Sequence, residues 1–310
     1  MNHAQASEPA VALAATAGRA WRGSRRPAEW RLPPHVYFVG SAVFHYLGPA
    51  FAVLLFARVS PLGVAWLRIV SAAVVFAAWR KPWQRLAEID RQTRRLLLAL
   101  AAVFAAMNSC FYVAIDRLPL GTVAAVEFLP VILLAALGVR TIRNGLALLL
   151  AVPGVYILTD VRLATEPAGI AFAFANAALF AGYIVLAHRV SRSRALDRID
   201  GLAAAMLLAA VAITPIGGVP AAHAFADPVA IAAGIGVGVA SSVIPYVCDQ
   251  LAMARLKRAT YSLLVSLLPA TATAIGVIVL AQLPTGRDLL GVGLIVAGVA
   301  VHRERTAETA

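Results

Sequence analysis

Residues 107–131 read MNSCFYVAIDRLPLGTVAAVEFLPV. One apolar run ends at Ile115, Asp116, Arg117 and Pro119 interrupt it, and a second run starts at once with a single acid, Glu127, inside it. An α-helix needs about 20 apolar residues to cross roughly 30 Å of hydrocarbon. The stretch is therefore read as the end of one membrane helix, a tight turn, and the start of the next.

The same alternation extends in both directions. Ten apolar stretches are drawn near 35–57, 61–79, 95–115, 119–139, 142–159, 168–188, 200–219, 228–253, 260–281 and 287–302. Of the 310 residues 61% are hydrophobic and 14% charged, and the mean hydropathy is +0.81. A soluble domain of this size does not have that composition. The fold class expected is an all-α integral membrane protein of ten transmembrane helices. So little chain is left between the helices that no separate catalytic module is expected.

The net charge of +12 resembles a nucleic-acid signal until the cations are placed. With alternating helices, 22 of the 27 Lys and Arg fall on the side of the N-terminus. Four, Arg58, Arg117, Arg162 and Arg287, fall on the other, and Arg68 lies within helix 2. This is the positive-inside bias, which puts both termini in the cytoplasm. Basic loops then serve topology and contact with anionic lipid, and nucleic acid is not an expected partner. Residues 1–34, Arg-bearing and closed by Pro33-Pro34, are read as a disordered cytoplasmic arm, and 303–310 as a cytoplasmic tail. Cys110 and Cys248 both fall in helices and make no disulfide framework.

The cysteines mark an internal similarity. CFYVAIDRL (110–118) and CDQLAMARL (248–256) share Cys, Ala, Arg and Leu at an offset of 138 residues; Thr122 then aligns with Thr260, and Pro130 with Pro269 after a slip of one. Two halves are read, 35–159 and 168–302. Five helices is an odd number, so the second half enters the membrane inverted. Inverted repeats are a transporter signature, because pseudo-symmetric halves exchange conformations around a midplane site. Pro130 and Pro269 are candidate hinges, since a proline inside a helix removes a hydrogen bond and bends the axis; Pro153, Pro215 and Pro245 interrupt other helices. Gly234, Gly236, Gly238, Gly291 and Gly293 read as small-residue packing faces.

Charges inside the spans are few, and each costs about 2.5–3.5 kcal/mol at a helix centre. Glu127 lies roughly 12 Å into helix 4 at 1.5 Å per residue. It can bind a substrate ammonium, carry a proton, or serve as a structural carboxyl. Arg68 in helix 2 can hold a carboxylate through its fork, snorkel, or pair with Glu127. Asp249, beside Tyr246 and Gln250, is a candidate for proton coupling or an inner gate, or an interfacial partner of Arg255 or Lys257. Asn108 and Tyr112, four apart on one face, and Asn176 and Tyr183 offer hydrogen-bonding groups at moderate depth. His45 beside Tyr46 reads as a satisfied hydrogen-bonder. No spacing of histidines and carboxylates suggests a metal site, and no cofactor is expected.

At these residues the chain resembles the drug/metabolite transporter superfamily, with two EamA-type halves, and within it the threonine/homoserine exporter branch of bacterial inner membranes. The resembling stretches are GVAWLRIVSAAVVFAAWRKPW (63–83), residues 107–131, SSVIPYVCDQLAMARL (241–256) and the Ser266–Pro269 region. The resemblance covers about 36–302. It implies ten helices in two inverted repeats, inner-membrane location, and export of a small metabolite driven by the proton gradient. Arg68, Asn108, Tyr112, Glu127, Pro245 and Tyr246 fall on positions shared with the branch. Asp249 stands where the branch tends to have glutamate, and Leu268 where it often has a glutamate before the helix-9 proline.

The expected function is therefore export of a small amino acid by alternating access, probed through Arg68, Asn108, Tyr112, Glu127, Tyr183 and Tyr246 as substrate-binding residues and Glu127 and Asp249 as proton-coupling residues. The same superfamily also offers a drug, apolar cation or nucleobase as cargo. A membrane-embedded transferase would need clustered acids to hold Mg²⁺ against a diphosphate, and the chain has only 15 acidic residues and no such cluster.

Overall fold

In the computed structural model the described residues are 33–86, 89–130, 133, 141–191, 198–245, 248, 252, 264 and 267–301. All their regular structure is helical. The helices are α1 Pro34–Leu55, α2 Pro61–Arg80, the short α3 Trp83–Leu86, α4 Arg91–Arg117, α5 Leu120–Glu127, α6 Ile142–Thr165, α7 Pro167–Ser191, α8 Arg198–Ala221, α9 Pro228–Gly238, α10 Leu268–Leu280 and α11 Gly286–Val301. A 3₁₀ turn, Ala222–Ala226, follows α8, and a π-turn, Val239–Val243, follows α9. The arm, the tail, Tyr246, Asp249 and the cations at 255–258 lie outside the described residues.

Five helical stretches, Pro34–Leu55, Pro61–Arg80, Arg91–Arg117, Pro167–Ala187 and Asp200–Ala226, are each long and apolar enough to cross a bilayer. Ile142–Leu158, Pro228–Val243 and Leu268–Leu280 are shorter apolar helices. Their outer faces carry bare aliphatic side chains: Val219 is 78% exposed, Ile278 77% and Leu149 69%. Water would penalise such a surface, and lipid does not.

Local chemistry fixes the ends. Asp90 caps α4 by accepting from the backbone N–H groups of Gln92 and Thr93, and Asp227 caps α9 by accepting from Val229 and Ala230; each satisfies donors a helix start leaves open. Asp90 gains from this, since the Thr93 hydroxyl and backbone hydrogen bonds hold its carboxyl below the ordinary value. The cap starts α4 at Arg91, a turn before the apolar run itself. α10 ends at Ala281 in the left-handed region, φ 53. That twist lets the Gln282 N–H donate back to the Gly276 carbonyl at 3.1 Å, and the Gln282 side-chain oxygen accepts from the Leu120 N–H at 3.0 Å, capping α5.

Two expected helices are broken. The stretch expected at 119–139 is described as α5 to Glu127, then a turn at Phe128 (φ −80, ψ −14) whose N–H donates to Ala125. Before α10, Leu267 adopts nearly the same geometry (φ −81, ψ −8), its N–H donating to Leu264. Each turn stands two residues ahead of a buried proline, Pro130 and Pro269. Pro269 thus sits in the first turn of α10, where its missing N–H costs nothing. The helix expected at 228–253 widens at the π-turn, where Ile244 N–H donates five residues back to Val239. Such bulges are frequent at functional sites.

The most extensive helix pairings are α4 with α7, α6 with α11, and α2 with α8. α1 packs on α10, α9 and the π-turn, and α5 on α10 and α7. Glycines permit the closest crossings. A Cβ on Gly154 of α6 would come 2.8 Å from the Gly291 carbonyl of α11, and one on Gly48 of α1 would come 2.5 Å from Ser241 Cβ. Gly234, Gly238 and Gly291 pack as the sequence suggests, but Gly236 and Gly293 have no neighbour within 4 Å of such a Cβ. The close face is one side of each helix only.

At the ends of the α2–α8 pair, two ion pairs cross. Arg80 meets Asp200 at 2.7 Å, and Arg58 meets Asp227 at 2.7 Å. Arg117 lies 4.0 Å from Glu166.

Candidate functional site

The polar side chains of the bundle interior converge where α1, α2, α4, α5, α7 and the π-turn meet. Arg68 is the centre of one pole. Its Nη1 donates to Asn108 Oδ1 at 2.6 Å, its Nε to Ser242 Oγ at 3.3 Å, and its Nη2 to the Ser241 carbonyl at 3.4 Å. The last contact has a backbone cause. Pro245, four residues beyond Ser241, has no N–H with which to close a helical bond to that carbonyl, so the guanidinium serves it. Asn108 is oriented by donating its amide to the Phe104 carbonyl at 2.8 Å. Arg68 also lies 5.6 Å from the centre of the Tyr112 ring, within cation–π range.

Glu127 is the centre of the other pole. It ends α5, and Asn176 Nδ2 of α7 donates to its Oε1 at 3.3 Å. Tyr46, Tyr112 and the residues on either side of Glu127, Val126 and Phe128, share one packed core. No ion pair within 4 Å joins Arg68 to Glu127 among the described residues. The sequence allowed that pairing; the structure instead spends Arg68 on neutral acceptors from α4 and the π-turn.

Two buried polar atoms around these poles have no hydrogen-bond partner: the hydroxyl of Tyr46 and the Oδ1 of Asn176. The residues are 1% and 0% exposed, while the equally buried Tyr112 hydroxyl lies against Arg68 and Ser241. A buried polar group left unpaired costs about 1–3 kcal/mol, and two in one core call for an explanation beyond packing. Arg68 itself has five N–H donors and the contacts above use three of them. The cluster can therefore accept an anion beside Arg68 and Tyr112, and a hydrogen-bond donor beside Glu127 and Asn176.

Arg68, Asn108, Tyr112 and Glu127, all singled out in the sequence, are brought together. Tyr183 is not: it packs against Phe104 at 5.9 Å and stacks on Phe180 at 6.0 Å, in an aromatic group beside Leu97 and Leu100. Tyr46, Ser241 and Ser242 enter the cluster without having been selected. The signals were present: Tyr46 stands beside His45 and before Gly48-Pro49, and the two serines precede Pro245.

Membrane-length helices around a polar cluster with unspent hydrogen bonds fit a membrane transporter for a small molecule, and the comparisons with known proteins assign that class. Residues 167–302 match the EamA-like transporter family. The chain is 30% identical over 278 residues to the threonine/homoserine exporter RhtA of Escherichia coli K12, and equally to that of Salmonella typhimurium LT2. The match spans 89% of this chain and 92% of each relative. The chain belongs to the EamA family of the drug/metabolite transporter superfamily, in its RhtA-like branch.

Proposed function

We propose that the protein exports a small amino acid of the threonine/homoserine kind across a bacterial inner membrane, in exchange for protons. The observation that carries the reading is the pair of half-buried, unlike charges, Arg68 and Glu127, in one polar cluster with no ion pair between them. A zwitterion has the same two poles, and a site that holds its own charges apart leaves each one open to the opposite charge of the cargo. Arg68 with Tyr112 would meet the carboxylate, through charge-assisted hydrogen bonds. Glu127 would meet the ammonium, and would carry a proton when the cargo has left. The similarity to threonine/homoserine exporters supports the same cargo class.

Alternating access would come from two inverted halves, 35–159 and 168–302, with a cytoplasmic arm and tail outside them and both termini inside, as the distribution of cations suggests. The matched turns ahead of Pro130 and Pro269 support a hinge role for those prolines. So does the helix pairing, in which α4 on α7 corresponds to α9 and its π-turn on α1 when the halves are exchanged. Tyr183, Tyr246 and Asp249 would line the path to the cluster, with Asp249 as a second proton site.

The test is efflux of labelled amino acids, threonine and homoserine included, from proteoliposomes under an imposed pH gradient. Glu127→Gln is expected to abolish gradient-driven movement while the protein still folds and inserts. Unchanged pH dependence in that variant sinks the proton role, and resistance to drugs retained in Arg68→Ala cells would turn the reading towards an apolar cargo.

A further inference from the structure

Asn176 is fully buried on α7, and its amide is oriented by its neighbour. A carboxylate only accepts, so the amide presents its nitrogen to Glu127 and its oxygen elsewhere. That oxygen has no partner, and it too can only accept. Tyr46 on α1 adds a buried, unpartnered hydroxyl in the same packed core as Val126 and Phe128, the residues on either side of Glu127. An unspent amide oxygen on α7 and an unspent hydroxyl oxygen on α1 thus share one core with a carboxylate from α5. The group that satisfies such a set is a cation with several N–H donors. A primary ammonium has three.

We propose that Asn176 and Tyr46 complete, with Glu127, a three-acceptor cradle for a primary ammonium, and that this cradle restricts the cargo to compounds with an unsubstituted amino group. The proposal rests on the reading above that Glu127 meets the ammonium, and adds two specificity-determining residues to it. An N-methyl substituent removes one donor and leaves one acceptor of the cradle unpaired. An N-acetyl group removes the positive charge altogether.

The experiment is competition in proteoliposomes holding the full chain: uptake of labelled threonine against unlabelled threonine, N-methylthreonine and N-acetylthreonine. The wild type is expected to prefer threonine to N-methylthreonine by about tenfold or more, the worth of one charge-assisted hydrogen bond, and to ignore N-acetylthreonine. Asn176→Leu is expected to raise KM for threonine by about tenfold with a much smaller change in kcat, and to lose most of the discrimination against the N-methyl compound. Tyr46→Phe, which removes one oxygen and no volume of packing, is expected to shift both quantities in the same direction and covers the case in which the leucine variant does not fold. Wild-type transport of threonine with unaltered KM and unaltered N-methyl discrimination in the variants overturns the cradle and leaves the export reading standing. A folded wild type that moves no amino acid overturns the export reading, and the cradle with it.

Discussion

The stretch 34–165 and the stretch 167–301 make unequal contributions to the interior. The first supplies both charges of the polar cluster, Arg68 and Glu127, together with Tyr46, Asn108 and Tyr112. Among the described residues the second supplies only neutral groups: Asn176, the Ser242 hydroxyl and the Ser241 carbonyl. The end pairs divide differently, with the cations Arg58 and Arg80 from the first stretch and the acids Asp227 and Asp200 from the second. The lesson is that two runs of helices in one bundle need not share their chemistry. One side can carry the charge while the other shapes the field in which it sits.

The sharpest way to break that comparison is to exchange effects between the sides. Arg68→Met keeps an unbranched apolar stem and removes the charged head, and is expected to reduce threonine transport by about a hundredfold or more, because it deletes a charge-assisted contact and strands Asn108. Ser242→Ala on the opposite side removes one of three hydrogen bonds to the same guanidinium and is expected to cost no more than about tenfold. Equal losses in the two variants, measured as initial rates in proteoliposomes, would erase the distinction.

A second test addresses the seam. Gly48→Ala forces a Cβ against Ser241, whose backbone nitrogen would stand at 2.9 Å, so two backbones must move, at about 1–3 kcal/mol. Gly236→Ala meets nothing and is expected to stabilise by up to about 1 kcal/mol through helix propensity. Thermal unfolding in detergent of the two variants should therefore move in opposite directions; parallel shifts would mean that the seam is looser than its geometry.

The smallest effects belong to the end pairs, which differ in burial. The Arg80 and Asp200 side chains are 28% and 12% exposed, Arg58 and Asp227 55% and 31%. Arg80→Ala leaves a mostly buried carboxylate with one partner fewer and is expected to destabilise by about 1–3 kcal/mol; Arg58→Ala should do less. Its signature is in pH. The Arg58 hydrogen bond, with those from Ala230 and Val229, holds the Asp227 carboxyl below its ordinary 3.8. A depressed folded value contributes stability above the unfolded one and loses it as the pH falls through the folded one. The difference between wild type and Arg58→Ala should be constant from neutral pH to about 4 and vanish below it; a difference that changes near neutrality would point to another group.

The long helices and the charged members of the cluster were legible because apolar length and buried charge are expensive features that a sequence cannot hide. Asp116 and Arg117 mark a turn, and Glu127 in an apolar run announces a site. The neutral members were harder. Tyr46, Ser241 and Ser242 belong to residue types that membrane helices use for ordinary packing, and only their meeting in space, with the Tyr46 hydroxyl left over, distinguishes them. The π-turn adds a residue to a helical turn without any change in composition; Pro245 hinted at a carbonyl in need, but not at the guanidinium that would answer it. Tyr183 shows the converse. Its depth suggested the polar cavity, and its aromatic neighbours claimed it.

The left-handed twist at Ala281 has a practical consequence. It brings Gln282 to the start of α5, the helix that ends in Glu127, so a strained residue in a loop helps seat the half-buried acid. Alanine holds that conformation at a cost of about 1–2 kcal/mol that glycine does not bear. Its methyl group is exposed and far along the chain from every member of the cluster. Ala281→Gly is thus a natural starting point for a form that survives longer in detergent with its transport chemistry untouched, and the background on which the weaker variants above are best purified.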